Sequence, residues 1–249
     1  MNNSILNNII GWTLIIGTYI SYTPQFYRLY VKKNATGINE YMLIYGCLSS
    51  LLNVLGTIQI NLYIYYHETN CDTVCLYNNI LPIIQLSSPM ICMYIFYFIF
   101  IYYSSCNNKR KFYSFIAINL LISIGLIIQN FLFFDYDDIK FTGNILNTIS
   151  AIFSIFMWIP QIIESIQLKT NASLSIITLI LHASGCGLTI IYQIVFNHQS
   201  FWVILCYIIG LIAESTIVVI CIYYNKRNKK RFQDKSLDDA SEISNYKAL

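Results

Sequence analysis

Seven stretches of about 20 mostly apolar residues follow one another along the chain, each long enough to cross a bilayer as a helix. They cover residues 9–27, 41–65, 80–103, 112–134, 145–163, 174–196 and 201–224, with short polar loops between them. The apolar runs are continuous and do not alternate, which argues against a β-barrel. Only 11% of the 249 residues are charged, against about 25% in a soluble domain. Such a chain cannot cover itself in water. The expected fold is an all-α membrane protein with seven transmembrane helices.

Orientation follows from where the basic residues lie. With residues 1–8 as a short luminal N-terminus, 14 of the 15 lysines and arginines fall on the cytosolic side, and only Lys140 is luminal. Residues 225–249 then form a cytosolic tail, charged and poor in apolar residues, expected to be unstructured. Its basic run, "NKRNKKR", reads as a topology anchor touching lipid headgroups, not as a nucleic-acid site. The glycosylation sequons at Asn34 and Asn171 face the cytosol and should stay unmodified. Cys47, Cys92, Cys186, Cys206 and Cys221 lie in apolar spans and should pack as small hydrophobes. Cys71 and Cys75 share a luminal loop in which a disulfide is open.

One format occurs twice. "SYTPQFYRLYVKKNATGIN" at 21–39 and "MWIPQIIESIQLKTNASLS" at 157–175 superimpose on their prolines. Gln25 then falls on Gln161, Lys33 on Lys169, and Asn39 on Ser175. Each proline lies in the first helix of a set of three. The chain is therefore read as one three-helix repeat (9–103), a linker helix with its loops (104–142), and a second repeat (143–224). A single linker helix gives both halves the same orientation, so the repeats form two parallel triple-helix bundles.

Pro24 and Pro160 each lack an N–H and crowd the carbonyl four residues earlier, on Ile20 and Phe156. In hydrocarbon that freed carbonyl needs a partner, and the amides of Gln25 and Gln161 could supply donors. Two matched kinks point to hinges around a central pathway. The plainer alternative is that the prolines merely end their helices.

Two ionisable side chains lie deep in apolar runs, which makes them functional candidates. His182 sits in "LILHASGC" and Glu214 in "IAESTIVV". Histidine changes charge between about pH 5 and 8, so it could respond to an acidic lumen. Glu214 could carry a proton or pair with a cationic solute. Asn53, Asn147, Trp158 and Gln193 are candidates for the solute pathway, each alone equally well explained as an interhelical contact. No nucleophile–base pair, metal cluster or phosphate loop stands out. Neither catalysis, a cofactor nor a metal is expected.

The paired "PQ" segments, followed by "KKNATGIN" and "LKTNASLS", resemble the PQ-loop repeat family, and within it cystinosin-type lysosomal transporters. The resemblance spans most of 9–224. It implies the two-bundle fold shared with the SWEET sugar transporters, no enzymatic activity, and proton-driven export of an amino-acid-like solute from an acidic lysosomal or endosomal lumen. His182 and Glu214 stand where that pattern has membrane-embedded acidic residues. Met157, Ser165 and Tyr41 replace a lysine, an asparagine and an acidic residue of the pattern. The resemblance thus carries the fold and the class, not cystine as cargo. A pH-independent sugar uniporter and a non-transporting receptor or scaffold, as the KDEL receptors exemplify, are the alternatives. "YKAL" at Tyr246–Leu249 fits a tyrosine-based sorting signal, with Tyr246 and Leu249 as the residues a clathrin adaptor would read.

Overall fold

The computed structural model describes residues 2–33, 35, 37–67, 73–104, 108–132, 136–168, 175–197 and 201–246. Asn34, Asn171, Cys71, Leu249 and the side chains of Cys75 and Tyr246 lie outside the described part. So do the sequons, the disulfide question and the sorting signal that rest on them.

The described residues form seven α-helices: α1 (Asn2–Lys32), α2 (Glu40–His67), α3 (Thr73–Tyr103), α4 (Asn108–Leu132), α5 (Tyr136–Leu168), α6 (Ile176–Tyr192) and α7 (Phe201–Tyr246). A π-helical turn, Gln193–Asn197, closes α6. Five helices, α2, α3, α5, α6 and α7, are long and apolar enough by themselves to cross a membrane. α1 carries Thr13, Thr18, Ser21, Thr23 and Gln25 among its apolar residues, and the apolar part of α4 is Phe112–Leu126.

α5 shows why this is a membrane fold. Its buried face is Asn147, Ser150, Ser154, Trp158, Gln161 and Ser165, while Ile145, Ile149, Ile152, Ile155, Ile159, Ile163 and Ile166 point outward. A soluble helix has the opposite pattern. Large apolar side chains meet lipid, and small or polar ones let helices approach.

Within the first half α3 packs against both α1 and α2; within the second α7 packs against both α5 and α6. The halves meet where α2 packs on α5 and α6 on α1. The six helices thus close a ring in the order α1, α3, α2, α5, α7, α6, and α4 lies outside it against α2 and α3. This is the expected arrangement of two like-oriented triple-helix bundles and a linker helix.

The two seams between the halves differ. At α2–α5 the backbones nearly touch. A Cβ on Gly143 would come within 2.9 Å of the Gly56 carbonyl oxygen, and one on Gly56 would overlap Asn147 Oδ1. Ser49 and Ser150 bond each other's backbone carbonyls at 2.9 and 2.8 Å, and Ser49 Oγ also pairs with Ser154 Oγ at 2.8 Å. At α1–α6, Gly17 and Gly185 face open space.

Two expectations need correction. α7 continues as helix to Tyr246 instead of giving way to a loose tail near 225. The stretch beyond 225 contains neither Pro nor Gly and carries five Lys, two Arg, two Leu and two Ala, all good helix formers. The prolines do not end their helices either: α1 and α5 each run eight residues past Pro24 and Pro160, to Lys32 and Leu168.

Candidate functional site

The PQ glutamines reach across the molecule. Gln25 Oε1 accepts the Ser175 backbone N–H at 2.7 Å. Gln161 Oε1 accepts the Asn39 backbone N–H at 3.0 Å, and Gln161 Nε2 donates to the Gly37 carbonyl at 3.0 Å. Asn39 and Ser175 are the residues that superimpose in the repeat, so each half's glutamine holds the same loop position of the other half. Both amides are buried. Gly37 turns its carbonyl to Gln161 at φ 86, a left-handed conformation that glycine adopts freely. Ser175, extended at φ −87, also caps α6 by accepting the Thr178 N–H.

At Gln161 this corrects the expectation that the amide donor serves the carbonyl freed by its own proline, since it goes to Gly37 instead. The helical side chain points away from that carbonyl, toward the opposite bundle. Interhelical hydrogen bonds in membranes contribute about 0.6–2 kcal/mol each. Gln161→Leu is expected to lower the melting temperature. It should also expose this end, read as faster labelling of a cysteine placed at Asn39 by a membrane-impermeant maleimide.

Beyond the glutamines lies a cavity of about 400 Å³ on the axis between the halves, lined from α1, α2, α3, α5, α6 and α7. Most of its wall repeats between the halves. Thr18, Ser21 and Tyr22 on α1 answer Ser154, Met157 and Trp158 on α5, 136 residues apart. Gly46, Ser49, Ser50 and Asn53 on α2 answer His182, Gly185, Cys186 and Thr189 on α6 at the same interval. Gln85, Leu86, Pro89 and Met93 on α3 answer Cys206, Tyr207, Gly210 and Glu214 on α7, 121 residues apart.

The symmetry is broken where the charge is. His182 Nδ1 is hydrogen-bonded to Glu214 Oε1. Glu214 is 1% exposed, and its second oxygen, Oε2, has no protein partner. Tyr22 packs edge-on against the His182 ring at 5.0 Å, and the Cys186 thiol lies one turn further along α6, within 4.8 Å of the ligand atoms of the pair. In the first half the equivalent positions are Gly46 and Met93, and a Cβ on Gly46 would overlap Met93 Cε. One half thus holds an acid–base pair where the other holds a thioether against a glycine. A smaller cavity of about 50 Å³, lined in part by Gln25, Phe96 and Leu179, lies beside the pair toward the PQ end.

His182, Cys186 and Glu214 bring one ligand atom each within 4.8 Å of one another, a compact set of donors that sequence reading did not foresee. The imidazole nitrogen that faces Glu214 is engaged by it, so the arrangement reads first as a hydrogen-bonded pair. Cys186 is accordingly part of this cluster and not a plain packing residue.

Of the pathway candidates, Asn53 and Trp158 line the cavity. Asn147 and Gln193 are fully buried but belong elsewhere, toward the N-terminal end of the bundle. There Asn147 fills the notch at Gly56, and the equivalent pair places the Tyr192 hydroxyl over Gly11, 3.1 Å from where a Cβ would stand. Sequence reading passed over Gln85. It lines the cavity, is 7% exposed, and both its amide atoms lack a protein partner. Its one signal was a glutamine amid a long apolar run.

A ring of two parallel three-helix units around a central cavity defines a multi-pass membrane protein built by duplication. The family is shown by the repeats themselves: the PQ loop repeat matches residues 6–65 and 142–203, and the chain belongs to that family. No curated protein matches it closely enough to be called a relative. Among solved structures it is similar to a eukaryotic SWEET transporter at 3.7 Å resolution, with a TM-score of 0.58 and 13% identity over 91% of this chain and 100% of that one. At that identity the likeness is one of fold.

Proposed function

We propose that this protein is a secondary transporter that exports a small amino-acid-like solute, together with protons, from an acidic endolysosomal lumen to the cytosol. The observation that carries the reading is the His182–Glu214 pair, set into the wall of the central cavity on the axis between the repeats. A carboxylate and an imidazole in hydrogen-bond contact can exchange a proton. Their place in the cavity wall lets that exchange alter what a bound solute meets.

Alternation would use the glutamine crossovers as the contacts that break at one end, and the Tyr192–Gly11 and Asn147–Gly56 contacts at the other. Pro24 and Pro160 lie inside continuous helices, where a missing backbone bond eases bending. Sorting by Tyr246 and Leu249, with the N-terminus luminal and the tail cytosolic, completes the proposal.

The test is flux into proteoliposomes with pH clamped separately on each side, over a panel of amino acids, amines and sugars. Uptake of an amine-bearing solute that rises with acid on the solute side supports the reading. Flux of a sugar that ignores pH would replace it with a uniporter, and binding without flux with a receptor.

A further inference from the structure

Two stations in the cavity wall carry buried polar atoms without partners among the described residues. One is Glu214 Oε2. The other is formed by Gln85 Oε1 and Nε2 with Asn53 Oδ1, on side chains 7% and 8% exposed. Pro89 adds to the second station, because it has no N–H to offer the Gln85 carbonyl four residues earlier. The stations are separated along the bundle. Glu214 is level with Met93 by the repeat spacing, and Met93 lies eight residues beyond Gln85 on α3, about 12 Å at the helical rise.

Both stations present acceptors, and the second adds one donor, Gln85 Nε2, which a neutral amine nitrogen can accept while donating to the oxygens. A carboxylate oxygen at one end calls for an ammonium group. Two side-chain carbonyl oxygens and a backbone carbonyl at the other call for an N–H donor. Between them the wall is largely apolar, with Leu86, Met93, Met157 and Trp158. No lysine or arginine lines the cavity among the described residues to receive a carboxylate.

We infer that the site takes an elongated solute with N–H donors at both ends and an apolar body, its ammonium at Glu214 and its far donor at Gln85. This rests on reading the cavity as the solute site and names the class of solute. Gln85 is the residue that sets length: a solute too short to span the stations leaves one of them unpaired, at the cost of an unsatisfied buried group.

The experiment measures binding to the purified full chain, using straight-chain diamines from diaminobutane to diaminodecane and monoamines of the same lengths. Diamine affinity should pass through a maximum with length, about tenfold above the matching monoamine. Gln85→Leu should bring the best diamine down to the monoamine, while the monoamine, relieved of an unpaired amide beside it, binds at least as tightly as before, which also reports an intact fold. Gln85→Glu should strengthen the diamine alone. The inference is overturned by affinity without a length optimum, by an optimum that survives Gln85→Leu, or by no amine binding. Because binding is read without flux, a length optimum with transport indifferent to pH would remove proton coupling and leave this assignment standing.

Discussion

Replacing Glu214 by glutamine is expected to abolish the acceleration of solute uptake by a proton gradient. The side chain keeps its shape and can still bond His182, but it can no longer hold a negative charge or take up a proton. Coupling free energies between linked ligands are typically 1–3 kcal/mol, so gradient-driven uptake should fall about tenfold or more. Solute exchange with no net proton movement should persist at raised solute concentration, because the cavity stays intact while an ammonium-bearing solute loses its carboxylate partner. His182→Gln should weaken the pH response without eliminating it, since the carboxylate remains. If Glu214→Gln leaves gradient-driven uptake at the wild-type level, proton coupling through this pair is wrong.

The second large effect is expected at Gly56. An alanine there would place its methyl on Asn147 Oδ1 and 2.8 Å from the Gly143 backbone carbonyl. Side chains can turn aside, but the α5 backbone can move only by parting the seam. Gly→Ala in a free helix gains up to about 1 kcal/mol, and overpacking costs about 1–3 kcal/mol. Overpacking wins, and thermal stability in detergent should drop. Gly125→Ala on α4 is the control: nothing lies within 4 Å of its Cβ position, so it should leave stability level or raise it. Equal effects at the two glycines would mean that the α2–α5 seam is not packed as described.

Much of the architecture was legible because membranes simplify the problem. Every backbone polar group in hydrocarbon must be satisfied within its own segment, so length and hydropathy alone delimit helices. The duplication was legible from Pro24–Gln25 and Pro160–Gln161, and it carried the pairing of Asn39 with Ser175 that the glutamine bonds later fill. His182 and Glu214 were visible as ionisable residues stranded in oil. Their hydrogen bond was not, because 32 residues and a turn between helices separate them.

What the sequence left open shares a cause. Asn147 and Gln193 look like Asn53 in sequence, a lone amide within a span, and only the rotation of a helix decides whether such an amide meets a cavity or a neighbour's glycine. The glutamine amides were assigned to their own helices for the same reason. Gln85 carried no repeat partner of like chemistry, since Cys206 occupies its place in the second half.

The order of residues by itself therefore determined the spans, the duplication and the identity of the acid–base groups, since each depends on composition and interval along one strand of chain. Which faces of the helices turned toward one another was decided by tertiary packing: small residues zipped α2 to α5, α1 and α6 met less closely with open space at Gly17 and Gly185, and Glu214, His182 and Gln85 were so set around one cavity. Proximity between helices is a property of close approach in three dimensions, and no interval along the chain encodes it directly.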